Sequence, residues 1–136
     1  MNRRQFALLS TAALTLPGLA IAAADYTPGL VRKHLAAGDT VFLDFKADWC
    51  STCAAQERVI EALKAAEPAY ENHVVFINVD WDRYGDAALT RELKIPRRST
   101  LVVLKGDQEL GRVVAGTSTK VIKALMDTAL AAARAG

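Results

Sequence analysis

The chain has 136 residues, of which 51% are hydrophobic and 24% are charged, and its formal net charge is +2. This length predicts one globular domain with enough apolar material for a core, and it leaves no room for a second domain. Binding to nucleic acid is not expected, because that function needs a clear surplus of basic residues on one face.

Residues 1–24 predict a signal peptide. Two arginines precede an apolar stretch over residues 6–19, a tract of small residues follows, and we expect cleavage after Ala22 or Ala24. Ser, Thr, Pro and Gly interrupt the apolar stretch, which is shorter than the ~20 residues of a membrane span. We therefore expect no stable membrane anchor after cleavage.

The export route has two interpretations. Arg3, Arg4 and Phe6 fit a twin-arginine signal, and a general secretory signal explains the same residues equally well. Either route leads to the bacterial periplasm or another exported location. Without the two arginines, the 17 basic residues fall to 15 and equal the 15 acidic residues, so the net charge belongs to the signal.

The remaining residues, 25–136, predict an α/β domain. The first elements expected are a helix with Thr27 as N-cap, Pro28 at its first position and Gly38 after its end, a strand over 41–45, a helix over 50–66 and a strand over 74–79. A short helix over 87–94, a hairpin of strands over 100–104 and 111–115, and an amphipathic helix over 120–133 follow. The order strand, helix, strand is typical of a parallel crossover unit.

The only two cysteines, Cys50 and Cys53, form a CxxC pair after the predicted strand over 41–45. The spacing brings the two sulfurs within bridging distance and places one of them at a helix N-terminus. Unpaired N–H groups and the helix dipole favour the thiolate there, so we expect Cys50 to attack and Cys53 to resolve. The pattern predicts thiol:disulfide exchange, with the redox-active disulfide as the only one available within the chain.

The alternative for a CxxC pair is half of a zinc site. Zinc takes four ligands, and the two histidines, His34 and His73, stand at spacings unlike those of common zinc motifs. We therefore expect no metal site, and we interpret both histidines as ordinary surface or boundary residues.

The order of elements around the CxxC pair resembles the thioredoxin family over residues 26–134. Residues 41–50 read Val-Phe-Leu-Asp-Phe-Lys-Ala-Asp-Trp-Cys, similar to that family's apolar strand with a buried Asp, followed by Trp-Cys. The Ala-Asp-Trp-Cys stretch also resembles the thioredoxin-like domains of bacterial membrane-associated thiol reductases. The resemblance implies a thioredoxin-like fold, with a central mixed β-sheet flanked by helices. No organic cofactor is expected, because the sequence has no Gly-rich phosphate-binding loop and the redox-active Cys50–Cys53 disulfide carries the chemistry.

Asp44 lies six residues before Cys50 in an otherwise apolar strand. Burial there would raise the pKa of its carboxyl. By the family resemblance, Asp44 lies under Cys53 and relays a proton to or from that thiol. The alternative is a carboxylate that points to the surface.

Lys46 stands where the family often has an aromatic residue, and Phe76 stands where it usually has a lysine on the next strand. The hypothesis is that Lys46 supplies the missing charge and tunes the thiolate; the alternative is a solvated lysine at a strand end. Trp49 is expected to shield the sulfurs and offer partner proteins a flat apolar contact, or else to pack in the core.

Ser51 and Thr52 separate the cysteines, where the family has Gly-Pro or Pro-His. Their hydroxyls can donate hydrogen bonds to a thiolate and so tune it, but no adjacent imidazolium adds strong stabilisation. This composition favours a reductant or a middling redox potential.

The loop before the predicted strand over 100–104 departs from the family pattern. Aligning Thr100 and Leu101 on the family's Thr-Leu puts Ser99 where a cis-proline belongs, whereas the competing register uses Pro96 and spoils the upstream apolar pattern. A cis bond before Ser99 would cost about 2.5 to 4 kcal/mol, so a trans bond in a reshaped loop is the other possibility.

By the same resemblance, this loop and Trp49 bind substrate. Arg98, Ser99 and Thr100 are then expected to pair with an extended segment of a partner protein. Arg97 and Arg98 are expected to lower the thiolate pKa or to attract acidic partners, or else to be solvated charges.

These inferences predict an extracytoplasmic thiol:disulfide oxidoreductase of the protein-disulfide reductase type, a reductase or electron relay rather than an oxidase. The expected partners are disulfide-containing exported proteins, with a membrane thiol reductase as electron donor. A second hypothesis is a metal-binding or metal-delivery module that uses the two thiolates, because a missing proline ring would uncover the sulfurs. A third is a binding domain with a vestigial CxxC pair.

Overall fold

The computed structural model describes residues 22–136. The predicted signal peptide lies outside this range except for its last three residues, 22–24. Within residues 22–136, no helix is both long enough and apolar enough to cross a membrane.

In the part of the chain that the structure describes, five strands form one mixed sheet. The strands are β1 (Ala24–Asp25), β2 (Thr40–Lys46), β3 (Val75–Asp80), β4 (Thr100–Lys105) and β5 (Gln108–Val114), in the order β1-β3-β2-β4-β5. The helices are α1 (Leu30–Ala36), α2 (Ser51–Ala66), α3 (Ala69–His73), α4 (Trp81–Tyr84), α5 (Ala88–Glu92) and α6 (Thr119–Arg134). Strands β1 and β2 pair parallel with β3, whereas β4 pairs antiparallel with β2 and β5 antiparallel with β4. The predicted fold, a mixed sheet flanked by helices, is confirmed.

Strand β2 lies at the centre of the sheet and leads into the CxxC pair. Side chains alternate between the two faces along a strand. Val41, Leu43 and Phe45 pack with residues of α1 and α5 on one face, and Phe42 packs with residues of α2, α3 and α6 on the other. Asp44 shares the Phe42 face, so the alternation directs its carboxyl towards α2 rather than into solvent.

The start of α1 differs from the sequence prediction. Thr27 and Pro28 do not begin the helix, because Gly29 has a φ of 89°, a left-handed conformation outside the helical range. The helix instead begins at Leu30, and the Leu30 N–H donates to the Thr27 carbonyl at 3.0 Å. Residues 27–29 therefore form a turn that leads into the helix.

Three short elements, β1, α3 and α4, were absent from the prediction. They contain 2, 5 and 4 residues, which is too few for a periodic pattern to be recognised. Strand β1 exists through its pairing with β3, where Ala24 lies opposite Ile77. Strand β5 begins at Gln108 rather than at residue 111, because Gly106 has a φ of 61° and permits a tighter turn than predicted.

Candidate functional site

Cys50 caps the N-terminus of α2, and Cys53 lies one turn further along the helix. The backbone of Cys50 is extended, and its Sγ accepts a hydrogen bond from the Cys53 backbone N–H at 3.2 Å. This bond satisfies one of the N–H groups that a helix start leaves unpaired. Both cysteines are free thiols, with exposed fractions of 4% for Cys50 and 1% for Cys53.

The two thiols have opposite pKa shifts. Burial raises the pKa of Cys50, but hydrogen bonds from the Cys53 side chain, the Ser99 hydroxyl and the Cys53 N–H outweigh burial and lower that pKa to about 6. The Arg98 side chain lowers it further. Burial raises the pKa of Cys53, and the hydrogen bond with Cys50 raises it again. At neutral pH, Cys50 is therefore mainly a nucleophilic thiolate, while Cys53 retains its proton.

Ser99 lies opposite the cysteines. Its Oγ is 3.2 Å from the Cys50 Sγ and 3.0 Å from the Cys53 Sγ, whereas Pro96 lies in an exposed part of the loop. No peptide bond within residues 22–136 is cis, and Ser99 has a φ of 66°. The loop is therefore reshaped by a left-handed residue, a conformation that costs a non-glycine residue about 1 to 2 kcal/mol.

The backbone of Ser99 is held by three hydrogen bonds within the chain. Its N–H donates to the Phe45 carbonyl at 2.7 Å, and its carbonyl accepts from the Ala115 N–H at 2.8 Å. The fully buried Gln56 of α2 donates through Nε2 to the carbonyls of Ser99 and Gly116, each at 3.0 Å. Both polar groups of the Ser99 backbone are therefore already paired within the chain and are not free to pair with a partner segment.

Asp44 is buried under α2 and does not reach the surface. Its Oδ1 lacks a hydrogen-bond partner among residues 22–136, and it adjoins a cavity of about 20 Å³, large enough for one water molecule. Burial raises the pKa of Asp44 to about 7, the charge of Lys46 opposes this rise, and Glu57 adds to it. The charge on Cys50 also raises the pKa of Asp44, so the carboxyl and the thiolate are electrostatically coupled.

Lys46 is paired and acts on Asp44. Its Nζ lies 2.9 Å from Oε2 of Glu57, which projects from α2. The charge of Lys46 lowers the pKa of Asp44 but is not among the groups that shift the pKa of Cys50. Lys46 therefore acts on the buried carboxyl, and its tuning of the thiolate stays a prediction.

Lys64 supplies a second buried positive charge on this side of the dithiol. Its Nζ lies 4.2 Å from the centre of the Phe76 ring. Phe76 is the residue that stands where the family usually has a lysine. Glu61 and Glu71 lie 3.5 and 3.6 Å from this Nζ. Lys64 lines the same small cavity as Asp44 and lowers the pKa of that carboxyl. The positive charge next to Phe76 therefore comes from Lys64 of helix α2 and not from a lysine on strand β3.

Trp49 is a surface residue beside the dithiol, with 61% of its area exposed. Its indole N–H donates to both carboxylate oxygens of Asp82, each at 3.0 Å. The guanidinium carbon of Arg98 lies 4.3 Å from the centre of the Trp49 ring, a cation–π distance. The core-packing alternative for Trp49 is wrong, and the ring forms a flat surface next to the sulfurs.

Four of the predicted site residues have other surroundings than expected. The hydroxyl in contact with the sulfurs comes from Ser99 and not from Ser51 or Thr52. Arg97 donates through Nε to the neighbouring Arg98 carbonyl at 2.9 Å. Thr100 is fully buried at the start of β4, and its hydroxyl donates to the Arg97 carbonyl at 2.7 Å, so it stabilises the loop rather than facing a partner.

Gln56, Lys64 and Asp82 were absent from the sequence-based site. Cys53, Gln56, Ile60 and Lys64 are the buried residues of α2. Their spacing of three and four residues is that of a single helix face, so two polar residues on this apolar face were a usable signal. Asp82 gave no such signal, because its contact with Trp49 joins residues 33 positions apart.

The arrangement of the two thiols permits a two-step exchange. Because Cys50 ionises near neutral pH and Cys53 does not, the first can attack a disulfide and the second can then resolve the mixed disulfide. Within residues 22–136, no group of three or more His, Cys, Asp or Glu side chains is placed to hold a metal ion. The fold and the dithiol define a thiol:disulfide oxidoreductase.

Comparison with known proteins gives the family. The thioredoxin family model matches residues 26–128, and the chain belongs to the thioredoxin family. Thioredoxin H-type of Fagopyrum esculentum is 30% identical over 91 residues, which cover 67% of this chain and 73% of that protein. Mitochondrial thioredoxin-3 of Saccharomyces cerevisiae is 27% identical over 96 residues, 71% of each protein.

Solved structures agree with this assignment. The crystal structure of Trxlp from Edwardsiella tarda EIB202 matches with a TM-score of 0.64 and 30% identity, over 76% of this chain and 98% of that chain. Oxidised mitochondrial thioredoxin 3 from Saccharomyces cerevisiae matches with a TM-score of 0.61 and 25% identity, over 77% of this chain and 94% of that chain.

Proposed function

We propose that this protein is exported and transfers electrons from its dithiol to disulfides of other extracytoplasmic proteins. The observation that carries the proposal is the hydrogen-bonded pair of unequal thiols at the start of α2. Cys50 accepts bonds from the Cys53 N–H and the Ser99 hydroxyl, which stabilise its thiolate. An exposed flat surface at Trp49 lies next to this thiolate and supports contact with a partner protein.

The thiolate pKa supports reduction over oxidation. The attacking thiol has a pKa of about 7 in thioredoxin and about 3.5 in a strongly oxidising dithiol protein. The pKa of Cys50, about 6, is closer to the first of these. A less stabilised thiolate means a less stabilised reduced form, and therefore a lower reduction potential.

Each reaction cycle moves two electrons from the dithiol to the substrate. The Cys50 thiolate attacks one sulfur of a substrate disulfide, so that a mixed disulfide forms and a substrate thiolate leaves. Cys53 then loses its proton and attacks the Cys50 sulfur, which forms the Cys50–Cys53 disulfide and releases the second substrate thiolate. Asp44, with a pKa of about 7, has the affinity suited to accepting the Cys53 proton at neutral pH.

The proposed location rests on residues 1–24, whose basic start, apolar stretch and small residues fit an export signal. Cleavage after Ala22 would keep Ala24, which pairs with Ile77 in the sheet, and is therefore preferred over cleavage after Ala24. Outside the cytoplasm the oxidised pair must be reduced again, and a membrane thiol reductase is the proposed electron donor.

A trapping experiment tests the exchange mechanism in its proposed compartment. In the Cys53→Ser variant the resolving thiol is absent, so mixed disulfides with exported proteins should accumulate and disappear on reduction. The Cys50→Ser variant, which retains the buried thiol, is the matched control and should form none. Equal adducts in both variants, or none in either, would contradict the assigned roles.

The direction of electron flow is tested by equilibrating the mature domain with glutathione or dithiothreitol. A reduction potential near about −270 mV would place the protein with the reductants, as proposed. A value near about −120 mV would instead identify an oxidant of disulfide formation. Elemental analysis of the purified protein accompanies this measurement, because stoichiometric bound metal would favour the metal-binding hypothesis.

A further inference from the structure

The Ser99 hydroxyl bridges the two sulfurs. Its Oγ lies 3.0 Å from the Cys53 Sγ and 3.2 Å from the Cys50 Sγ, both within hydrogen-bonding distance for sulfur. Ser99 is completely buried, with an exposed fraction of 0%. A hydroxyl has one proton to donate and two lone pairs that accept. The Ser99 hydroxyl can therefore donate a hydrogen bond to only one of the two sulfurs at a time.

The roles of the two sulfurs do differ in the reduced protein. A thiolate can only accept hydrogen bonds, and Cys50 is the sulfur that already accepts one, from the Cys53 N–H. The Cys53 thiol retains a proton that it can donate. The single proton of the Ser99 hydroxyl is therefore directed to Cys50, to which the Cys53 thiol also donates. Hydrogen bonding with Ser99 lowers the pKa of Cys50, which agrees with this direction, and it opposes the rise in the pKa of Cys53 that burial causes.

The loop holds the hydroxyl in this position at a conformational cost. The φ of 66° at Ser99 is unfavourable for a residue with a side chain. Hydrogen bonds to Phe45, Ala115 and Gln56 stabilise the strained backbone. Strain of this kind is retained where the surrounding structure enforces it, and it concentrates at functional sites.

We propose that Ser99 is a catalytic residue of the exchange reaction, whose hydroxyl donates a hydrogen bond to the attacking Cys50 thiolate. This inference rests on the proposed function of the dithiol. The hydroxyl stabilises the reduced, ionised form and does nothing comparable for the disulfide. Ser99 therefore makes Cys50 reactive at lower pH, and it makes the pair a weaker reductant than the same site without the hydroxyl.

The test compares two variants that both lack the Ser99 hydroxyl but differ in how easily residue 99 adopts a positive φ. Ser99→Ala keeps a side chain at the strained positive φ, and Ser99→Gly relieves that backbone strain. At least one of the two variants is therefore expected to fold. Thr90→Val is the control, because it also deletes a buried hydroxyl, one that donates to the Tyr84 carbonyl away from the sulfurs. The Cys50 pKa is read from thiolate ultraviolet absorbance and from the pH dependence of alkylation by iodoacetamide, assigned by mass spectrometry.

Both Ser99 variants should raise the Cys50 pKa by about one to two units, the value of a hydrogen bond to a charged group. Alkylation should become slower than in the wild type at pH 6 and faster at pH 9, because a more basic thiolate is less abundant but intrinsically more nucleophilic. The equilibrium with glutathione should shift towards the disulfide form. Thr90→Val should lower stability without moving any of these quantities.

An unchanged Cys50 pKa in folded Ser99→Ala or Ser99→Gly would overturn the role of Ser99. Equal shifts in Thr90→Val would do the same, because they would show a general effect of lost packing. Neither result would affect the trapping of mixed disulfides by Cys53→Ser. Conversely, absence of trapped adducts with a normal Ser99 effect on alkylation would contradict the proposed function alone.

Discussion

The dithiol has two sides, and they differ in chemistry. On the side of the loop over residues 97–99, hydrogen-bond donors act on the sulfurs at short range, above all the Ser99 hydroxyl at 3.0 and 3.2 Å, and the Arg98 side chain adds to its effect on Cys50. On the side under α2, a small cavity is lined by Asp44, Glu57 and Lys64. Lys46 pairs with Glu57, and the charges of Lys46, Glu57 and Lys64 act on Asp44 at longer range. The first side favours ionisation of the attacking thiol, and the second sets the proton affinity of a buried carboxyl.

This division has a physical reason. The Ser99 hydroxyl is a neutral donor that gives the thiolate a moderate stabilisation, and the Arg98 side chain contributes less to the lowered pKa of Cys50. A carboxyl that must exchange a proton near neutral pH needs a raised pKa, which burial supplies and nearby lysines limit. The two sides can be altered by separate substitutions, and the following predictions use that separation.

The largest expected effect is on the α2 side, at Asp44. Its pKa is about 7 in the folded protein and about 3.9 in an unfolded chain, so the folded state binds the proton more tightly. The free energy of unfolding should fall as pH rises from about 4 to about 7, by up to about 4 kcal/mol from this group, and level off above. Asp44→Asn should remove that loss and stabilise the protein above pH 7.

The measurement is urea denaturation of both proteins at pH 5 and pH 8. The gain in stability of Asp44→Asn over the wild type should be much larger at pH 8. Asp107→Asn, at an exposed turn position, is the control for the loss of one carboxylate charge, and a surface substitution of this kind should change stability by less than about 0.5 kcal/mol. A gain for Asp44→Asn that is the same at both pH values would contradict the raised pKa of Asp44.

An intermediate effect is expected on the loop side, at Gln56. Gln56→Leu removes two buried hydrogen bonds, to the carbonyls of Ser99 and Gly116. At 0.5 to 1.5 kcal/mol for each bond, the loss of stability should be about 1 to 3 kcal/mol. The backbone amides of Ser99 and Ala115 should also exchange hydrogen faster. Gln56 holds the loop that contains Ser99 and the segment after β5 that contains Ala115 and Gly116.

Thr128→Val provides the comparison for Gln56→Leu. It removes an exposed side-chain hydrogen bond to the Ala124 carbonyl, at 3.0 Å, and should change stability by less than about 0.5 kcal/mol. If Gln56→Leu is no more destabilising than Thr128→Val, Gln56 does not hold the loop. Neither variant should alter the pH dependence assigned to Asp44.

The smallest expected effect is a pair of opposite pKa shifts at Asp44. Lys46→Met should raise the pKa of Asp44, because the lysine charge lowers it. Glu57→Gln should lower that pKa, because the glutamate charge raises it. Each shift should be below about one unit, since partly exposed charges are screened by solvent. Carboxyl NMR titration measures both, and shifts of the same sign would contradict the arrangement under α2.

The sequence predicted those parts of the fold and site that depend on neighbouring residues. Strands β2, β3 and β4 and helices α2 and α6 lie close to their predicted positions, because each carries a long apolar pattern. Short elements such as β1 and α4 escaped prediction, since pairing or a single turn, and not periodicity, creates them. The predicted start of α1 was wrong because Gly29 adopts a left-handed φ of 89°. Glycine is free to adopt either sign of φ, so the residue type does not reveal which one it takes.

The sequence by itself determined the chemistry of this protein: two cysteines in a CxxC pair at a helix start, preceded by a carboxyl in an apolar strand. These features are local, because a helix N-terminus polarises the thiol that caps it. Only the tertiary structure decided which groups complete the site. Ser99 reaches sulfurs 49 and 46 positions away, and Gln56 reaches the Ser99 carbonyl 43 positions away. Such contacts depend on strand register, on helix packing and on one left-handed residue, which no local pattern specifies.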